Sequence, residues 1–214
     1  MSAPIGLFGG AFDPVHRGHI DAALAALAAL ALARIDFLPA AQSPLKSGAA
    51  ASGQHRLAML ELAISGKGGL GVDPRELSRP GPSFTIDTLA ELRSEHGPEQ
   101  SLVWIIGSDI LASLSQWRRW RELVEYAHVL VLDRPHAPEC DGSVEAWLEG
   151  HSHPVSWVRE RPSGSVQWLH QPPVDVSSTE IRAALKPGGE VGSLLCEQVI
   201  EYIAEHELYE LESS

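Results

Sequence analysis

Apolar and polar positions in this chain follow two periods that take turns along its length. Pro4 to Phe8 is a short apolar run stopped by Gly9-Gly10, the pattern of a buried strand running into a tight turn. From His19 to Leu32 the period changes. Ile20, Leu24, Leu27 and Ala31 fall on one helical face, and alanine, the best intrinsic helix former, fills much of the remainder. Ile35 to Leu38 then predicts a second strand, ended by Pro39. Strand, helix and strand in that order imply a right-handed parallel βαβ unit. Ala40 to Gly53 has no period and is either a linker or a ligand loop.

The remainder continues the alternation. Gln54–Ile64, Thr85–Glu95 and Trp117–Tyr126 predict helices, with breaks at Gly66–Gly71 and Gly97-Pro98. Leu102–Ile106 and His128–Leu132 predict buried strands. Pro135–Gly164, rich in Pro, Gly, Ser and His, predicts an irregular insertion with one short helix around Ala146. Ser177–Leu185 and Glu197–His206 predict closing helices. In the second, Glu197, Glu201 and Glu205 form a solvated row while Val199, Ile200 and Ile203 face inward. The class is α/β with a mainly parallel sheet, read as one domain over residues 1–214 with a helical C-terminal part from about 177.

Composition narrows the choice of function. Lys and Arg total 16 against 28 Asp and Glu, a formal net charge of −12. So acidic a chain is a poor partner for nucleic acid, whose binding depends on neutralising phosphates. A small phosphate ligand needs only local positive potential and stays open. Cys140 and Cys196 are far apart and in no metal-like spacing, which fits a reducing compartment. No apolar run approaches the roughly 20 residues of a membrane span, and Met1 is not followed by a basic, cleavable leader. The expectation is a cytoplasmic protein that engages neither membrane nor nucleic acid. The sequence carries no signal of oligomeric state.

The most informative stretch is Gly9-Gly10-Ala11-Phe12-Asp13-Pro14-Val15-His16-Arg17-Gly18-His19, between the first strand and first helix. In a parallel sheet that position lies at the carboxyl edge, where ligands bind. Gly9 and Gly10 allow close backbone approach and free N–H groups to face phosphate oxygens. His16 and His19, three apart, share a face near the positive end of the helix, and together these features make an anion site. Two plainer readings stand beside it: a surface turn with ordinary histidines, or a metal pair, for which no third ligand of suitable spacing is apparent. Neither GxGxxG nor GxxxxGK occurs, so the site is neither a dinucleotide fingerprint nor a Walker loop. Ser177-Ser178-Thr179, taken alone, reads as an ordinary helix cap. Asp109 after Gly107-Ser108 reads equally as a cap or as a hydrogen-bond acceptor for ribose.

The first motif, together with Val176-Ser177-Ser178-Thr179-Glu180-Ile181-Arg182, resembles the paired signatures of the (H/T)xGH nucleotidyltransferases. Further landmarks are Pro82-Ser83-Phe84-Thr85, Gly107-Ser108-Asp109, Trp117, Asp133-Arg134-Pro135 and Val199-x-x-Tyr202-Ile203 with Leu208-Tyr209. Across nearly the whole chain the similarity is to the bacterial nicotinate-nucleotide adenylyltransferases. The resemblance implies a Rossmann-like open sheet with helices on both faces. It implies a catalytic set of His16, His19 and Arg182. ATP would be held by Gly9, Gly10, Ala11, Phe12, His16, His19, Gly107, Asp109, Ser178, Thr179 and Arg182. Nicotinate mononucleotide would meet Lys46, Phe84, Thr85, Trp117 and Arg134. The loop Ser43-Pro44-Leu45-Lys46 departs from the family in placing Leu45 where histidine is frequent, and Asp133 is also unusual.

The implied reaction is adenylyl transfer from ATP to nicotinate mononucleotide, releasing pyrophosphate, with Mg²⁺ accompanying ATP and no metal ligand expected from the protein. Three alternatives remain at this point. They are the same chemistry on nicotinamide mononucleotide or phosphopantetheine, a nucleotide-binding regulator without turnover, and a metal hydrolase using His16 and His19.

Overall fold

The structure is a computed structural model that describes residues 2–41, 50–134, 137–170, 176–185 and 191–209. Among these residues six strands form one parallel sheet: β1 (Ile5–Gly10), β2 (Arg34–Pro39), β3 (Leu70–Val72), β4 (Leu102–Gly107), β5 (His128–Leu132) and β6 (Val166–Leu169). Their order is β3-β2-β1-β4-β5-β6. The chain winds outward to one side from β1 and then to the other from β4. The crevice beyond the carboxyl ends of β1 and β4 is therefore the topological switch point, where α/β sheets take ligands.

The helices are α1 (Arg17–Ala29), α2 (Gly53–Ile64), α3 (Arg75–Ser78), α4 (Thr85–His96), α5 (Leu111–Leu114), α6 (Leu123–Tyr126), α7 (Gly142–Gly150), α8 (Trp157–Glu160), α9 (Ser178–Ala184) and α10 (Glu197–Glu205). Two-residue alternation sorts the strand side chains between two cores. Phe8, Ile35, Phe37, Val103, Ile105 and Leu130 face α1, α2, α9 and α10. Leu7, Leu102, Trp104, Ile106, Val129 and Val131 face α4, α5, α6 and α7. Both faces of the sheet are covered, which is why its strands read as continuous apolar runs.

The structure corrects four expectations. The face that α1 buries is not Ile20, Leu24, Leu27 and Ala31: Ile20, Ala22, Ala23 and Ala26 are buried, Leu24 and Leu27 only partly so, and Ala31 is exposed. Small alanines let this helix lie close on the sheet. Residues 117–126 are not one helix. Arg119 takes the left-handed conformation, φ 51°, and splits the run into a 3₁₀ turn at Trp120–Glu122 and the single turn of α6. β3 and β6 were not anticipated at all, and the segment from Pro135 to Gly164 carries α8 as well as the expected helix.

Two polar side chains, one half-buried and one fully buried, hold the amino edge of the sheet. Arg93 donates to the carbonyls of Tyr126 at 3.1 Å, Gly97 at 3.0 Å and Pro162 at 2.9 Å. His128, fully buried, lies 2.6 Å from Ser165 Oγ and 3.0 Å from the Arg161 carbonyl. Both nitrogens are thus occupied in structure, as buried polar groups require. No helix among the described residues is long and apolar enough to cross a membrane.

Candidate active site

The turn after β1 runs from Ala11 to His16 and enters α1 with His16 as its N-cap, in extended backbone at φ −142°, ψ 170°. The His16 and His19 rings lie face to face, centroids 3.7 Å apart and planes tilted by 32°. The His16 N–H donates to His19 Nδ1 at 3.2 Å. That contact places the lone pair of His19 on Nδ1, so its proton sits on Nε2. Phe12, buried, packs edge-on to His19 with centroids 5.0 Å apart. Gly18 has a steric reason to be glycine. A Cβ there would lie 3.1 Å from His16 Nδ1 and 3.3 Å from Val176 Cγ1, because the imidazole folds back over the first turn of the helix.

The two histidines are neutral at pH 7. Burial, with a smaller contribution from the nearby Arg134 guanidinium, lowers the His16 pKa to about 4. Burial, then His16, then Arg134 hold His19 well below its usual value of 6.5. Two stacked imidazolium ions in a desolvated turn would repel one another. The histidine pair therefore presents N–H donors rather than standing positive charge, which is left to Arg134 and Arg182. His16 Nδ1 is buried with no hydrogen-bond partner among the described residues.

Behind the turn stands a hub that sequence reading missed. Asp13 is only 4% exposed. Its carboxylate accepts from the Ala50 N–H at 2.6 Å, the Ala51 N–H at 3.1 Å and the Tyr209 hydroxyl at 2.8 Å. Its backbone carbonyl accepts from Arg182 at 2.6 Å. Arg56, 1% exposed, donates to the carbonyls of Ala11 at 2.7 Å, Ala41 at 3.3 Å and Ala51 at 3.3 Å. Asp13 read as a turn residue, and Arg56 drew no reading beyond its place in a helix. A charged residue on the apolar side of α2, beside Met59 and Leu60, was the available signal.

The second motif meets the first. Arg182 reaches Asp13, and Ser178 Oγ donates to the Pro14 carbonyl at 3.0 Å. Thr179 Oγ1 accepts from Arg182 at 3.2 Å. Ser177 caps α9 in a reciprocal box with Glu180. The Leu194 carbonyl takes the Arg17 N–H at 2.8 Å, so one amide at the start of α1 is already engaged. Gly9 and Gly10 are the last residues of β1, and side chains lie on both: a Cβ at Gly9 would be 2.5 Å from Trp104 Cζ2, and one at Gly10 2.9 Å from the Phe12 ring. Phe12 and its side chain are buried, which leaves Ala11 as the exposed member of the turn.

Across the crevice, Ser108 Oγ accepts from the Arg134 N–H at 2.9 Å, tying the end of β4 to that of β5. Arg134 Nε lies 3.4 Å from where a Cβ on Gly107 would stand, and the Asp109 carboxylate crowds the same point. Asp109 is exposed in a 3₁₀ turn. Arg134 thus sits where its charge acts on both histidines. Phe84 is the N-cap of α4, with no side chain bonding the amides of Thr85 and its neighbours. The Arg118 guanidinium lies 5.1 Å over the Phe84 ring and 3.4 Å from Asp87. This brings the 117–118 turn against the start of α4, and Phe84 and Trp117 pack on the same core. Lys46, with Leu45 beside it, lies outside the described residues. Among the described residues no group of three or more His, Cys, Asp or Glu is arranged to hold a metal ion.

A parallel sheet with a crevice at its switch point, edged by a histidine pair and an arginine from a distant helix, defines a nucleotide-handling α/β protein. The cytidylyltransferase-like family model matches residues 7–184. The chain is 44% identical over 211 residues to a probable nicotinate-nucleotide adenylyltransferase of Laribacter hongkongensis, covering 98% of this chain and 96% of that one. It is 40% identical over 210 residues to the probable nicotinate-nucleotide adenylyltransferase of Pseudomonas aeruginosa strain UCBPP-PA14, covering 98% of each. In fold it resembles the Plasmodium falciparum nicotinic acid mononucleotide adenylyltransferase complexed with NaAD, with TM-score 0.77, 19% identity and full coverage of both chains. The chain belongs to the cytidylyltransferase-like nucleotidyltransferases, in the group of the nicotinate-nucleotide adenylyltransferases.

Proposed function

We infer that this chain transfers the adenylyl group of ATP to nicotinate mononucleotide, forming nicotinate adenine dinucleotide and pyrophosphate. The observation that carries the reading is the meeting of His16, His19 and Arg182 at one switch-point crevice in a chain whose relatives bear that activity's name.

The chemistry suits such a site. The attacking group is the phosphate of the mononucleotide, largely dianionic at pH 7 because its second pKa is about 6. It needs no general base. Its difficulty is approach to the α-phosphorus of a highly charged triphosphate, so catalysis rests on positioning and on neutralising charge. The His19 Nε2–H and the His16 imidazole supply donors at the α- and β-phosphates. Ala11 and the ends of β1 supply close backbone, while Ser178, Thr179 and Arg182 take the outer phosphates. Arg182 is held beside the turn by the Asp13 carbonyl, so it is prepositioned. Gly107 and Asp109 border the adenosine. Arg134, between the strand ends and the histidines, faces both reacting phosphates. Phe84 and Trp117 flank the pyridine ring, and the uncapped amides at Thr85 receive its carboxylate. Lys46 is assigned to the acceptor side by sequence alone. Divalent metal, here Mg²⁺, enters with the triphosphate and adds charge neutralisation there.

Pyrophosphate release measured across nicotinate mononucleotide, nicotinamide mononucleotide and phosphopantetheine tests the reading. Preferred turnover of the nicotinate form is expected. Equal rates with the two pyridine nucleotides would remove the role given to Thr85. ATP binding without release from any acceptor would make the chain a nucleotide sensor.

A further inference from the structure

Residues 80–84 carry the chain into α4, and little of their own backbone holds them. Among the described residues no backbone hydrogen bond involves residues 80–83, and Gly81 turns through the left-handed region at φ 84°. Ser83 is the one polar side chain of this segment, and its buried hydroxyl accepts from Arg79 Nη1 at 3.0 Å. The same Nη1 reaches Thr88 Oγ1, at the end of the first turn of α4, at 3.1 Å. Thr88 in turn donates to the buried Glu76 carboxyl at 2.8 Å. The other arm of the guanidinium meets Glu91 at 2.6 Å. Burial raises the Glu76 pKa, while the Thr88 bond and the Arg79 charge oppose that rise. One guanidinium thus spans the loop before Phe84 and the helix after it. Between its two anchors lie Phe84 and the amides of Thr85 and Ile86. The amides of Asp87 and Thr88 return to the Phe84 carbonyl at 3.0 and 3.2 Å, whereas those of Thr85 and Ile86 have no partner among the described residues.

Side-chain charge does not supply selectivity here. Two guanidinium groups at this edge, Arg79 and Arg118, stand among three carboxyl groups, Glu76, Asp87 and Glu91. A carboxylate offers acceptors to both N–H groups, whereas a carboxamide turns an NH₂ donor toward one of them. Discrimination then falls to the aim of the two amides, and hydrogen bonds weaken steeply as they bend. We propose that Arg79 is a positioning residue for acceptor choice, clamping Ser83 to Thr88 so that the Thr85 and Ile86 amides point at the pyridine carboxylate. The proposal rests on the acceptor site assigned above to Phe84 and Thr85. Glu76 holds the clamp from the buried side through Thr88. Arg75 is a natural control: it fastens α3 to α4 through Glu95, and it holds Asp73, without bonding Ser83 or Thr88.

The test compares Arg79→Met, Ser83→Ala and Arg75→Met with the parent enzyme, using both pyridine mononucleotides as acceptors. For Arg79→Met the KM for nicotinate mononucleotide should rise about ten-fold, as misaligning a pair of donors to a ligand does. The KM values for nicotinamide mononucleotide and ATP, and kcat, should stay within about two-fold. The preference for the nicotinate form therefore falls. Ser83→Ala keeps the guanidinium and every ion pair, so it should show the same selective loss, and it carries the test if Arg79→Met folds poorly. Arg75→Met should lower Tm and leave the preference unaltered. Parental preference in a folded Arg79→Met or in Ser83→Ala, or an equal loss toward both acceptors, overturns the proposal and leaves the acceptor site standing. A matching loss of preference in Arg75→Met overturns it as well, since the effect would then belong to the docking of α3 on α4. A parent enzyme with no preference between the two mononucleotides overturns the site and the proposal together.

Discussion

Tyr209 donates its hydroxyl to Asp13 Oδ1 at 2.8 Å, joining two residues 196 positions apart. The bond lies behind the histidine turn, on the carboxylate that also takes two backbone amides from Ala50 and Ala51. Burial and the Asp13 charge raise the Tyr209 pKa far above its usual value, so the phenol remains a donor across the working pH range. Residues after α10 thereby help to fix the turn that holds His16.

Tyr209→Phe removes that donor and leaves a buried carboxylate short of one partner. The expected cost is about 1–2 kcal/mol of stability, with a several-fold fall in kcat and little change in KM for ATP. Urea unfolding and steady-state kinetics on the same preparation check both parts. A variant as stable and as active as the parent would mean that the two amides suffice to hold Asp13.

Arg56→Met should be more damaging. Three carbonyls, those of Ala11, Ala41 and Ala51, lose their donor in a buried site, and the Asp13 carboxylate loses the favourable charge of a buried guanidinium. A loss of about 2–4 kcal/mol is expected, lowering Tm by roughly 5–15 °C in a chain of this size. Arg56→Lys should recover only part, since an ammonium cannot reproduce the guanidinium fork. Thermal unfolding of both variants decides the matter.

Stability should fall on acidification from pH 7 toward 5. His16, His19 and His128 all have folded-state pKa values below 6.5, chiefly through burial. The unfolded chain therefore binds more protons than the native state between the two pKa values, and unfolding free energy rises with pH in that window. His16, lowered to about 4, contributes at most about 3 kcal/mol by this linkage. Its share is fully present above pH 6.5 and is lost as pH approaches 4. Denaturant midpoints at pH 5, 6 and 7 should show the slope, and His16→Gln should flatten it.

His19→Ala should lower turnover by about 100-fold or more, the range for removing one donor to developing transition-state charge, while circular dichroism and Tm report an intact fold. Normal turnover in a folded variant would remove His19 from the chemistry.

Much of this arrangement was legible in the residues, for identifiable reasons. β1, β2, β4 and β5 announce themselves because both of their faces are covered, so most of their positions are apolar; Arg34 and Asp36 in β2 and His128 in β5 are the exceptions. β3 and β6 span three and four residues at the sheet edges, Leu70–Val72 and Val166–Leu169, too short for any period to register. In α1 the alanines hid the packing side: leucine advertises burial more strongly than alanine, yet close contact with the sheet selected the smaller residue. The meeting of the Arg182 and His16 segments followed from two motifs, each of which alone was ambiguous. Arg56, Asp13 and Tyr209 were not legible as a unit. Their association depends on long-range packing that no local pattern encodes. The neutrality of the two histidines was hidden as well, since it follows from burial.

The grip of Arg56 on Ala41 and of Asp13 on Ala50 and Ala51 has an architectural consequence. Ala41 on one side of residues 42–49, and Ala50 and Ala51 on the other, are each tied to the pair of charged residues that brace the histidine turn. A substitution made between those two moorings leaves both of them, and with them the seat of His16 and His19, in place.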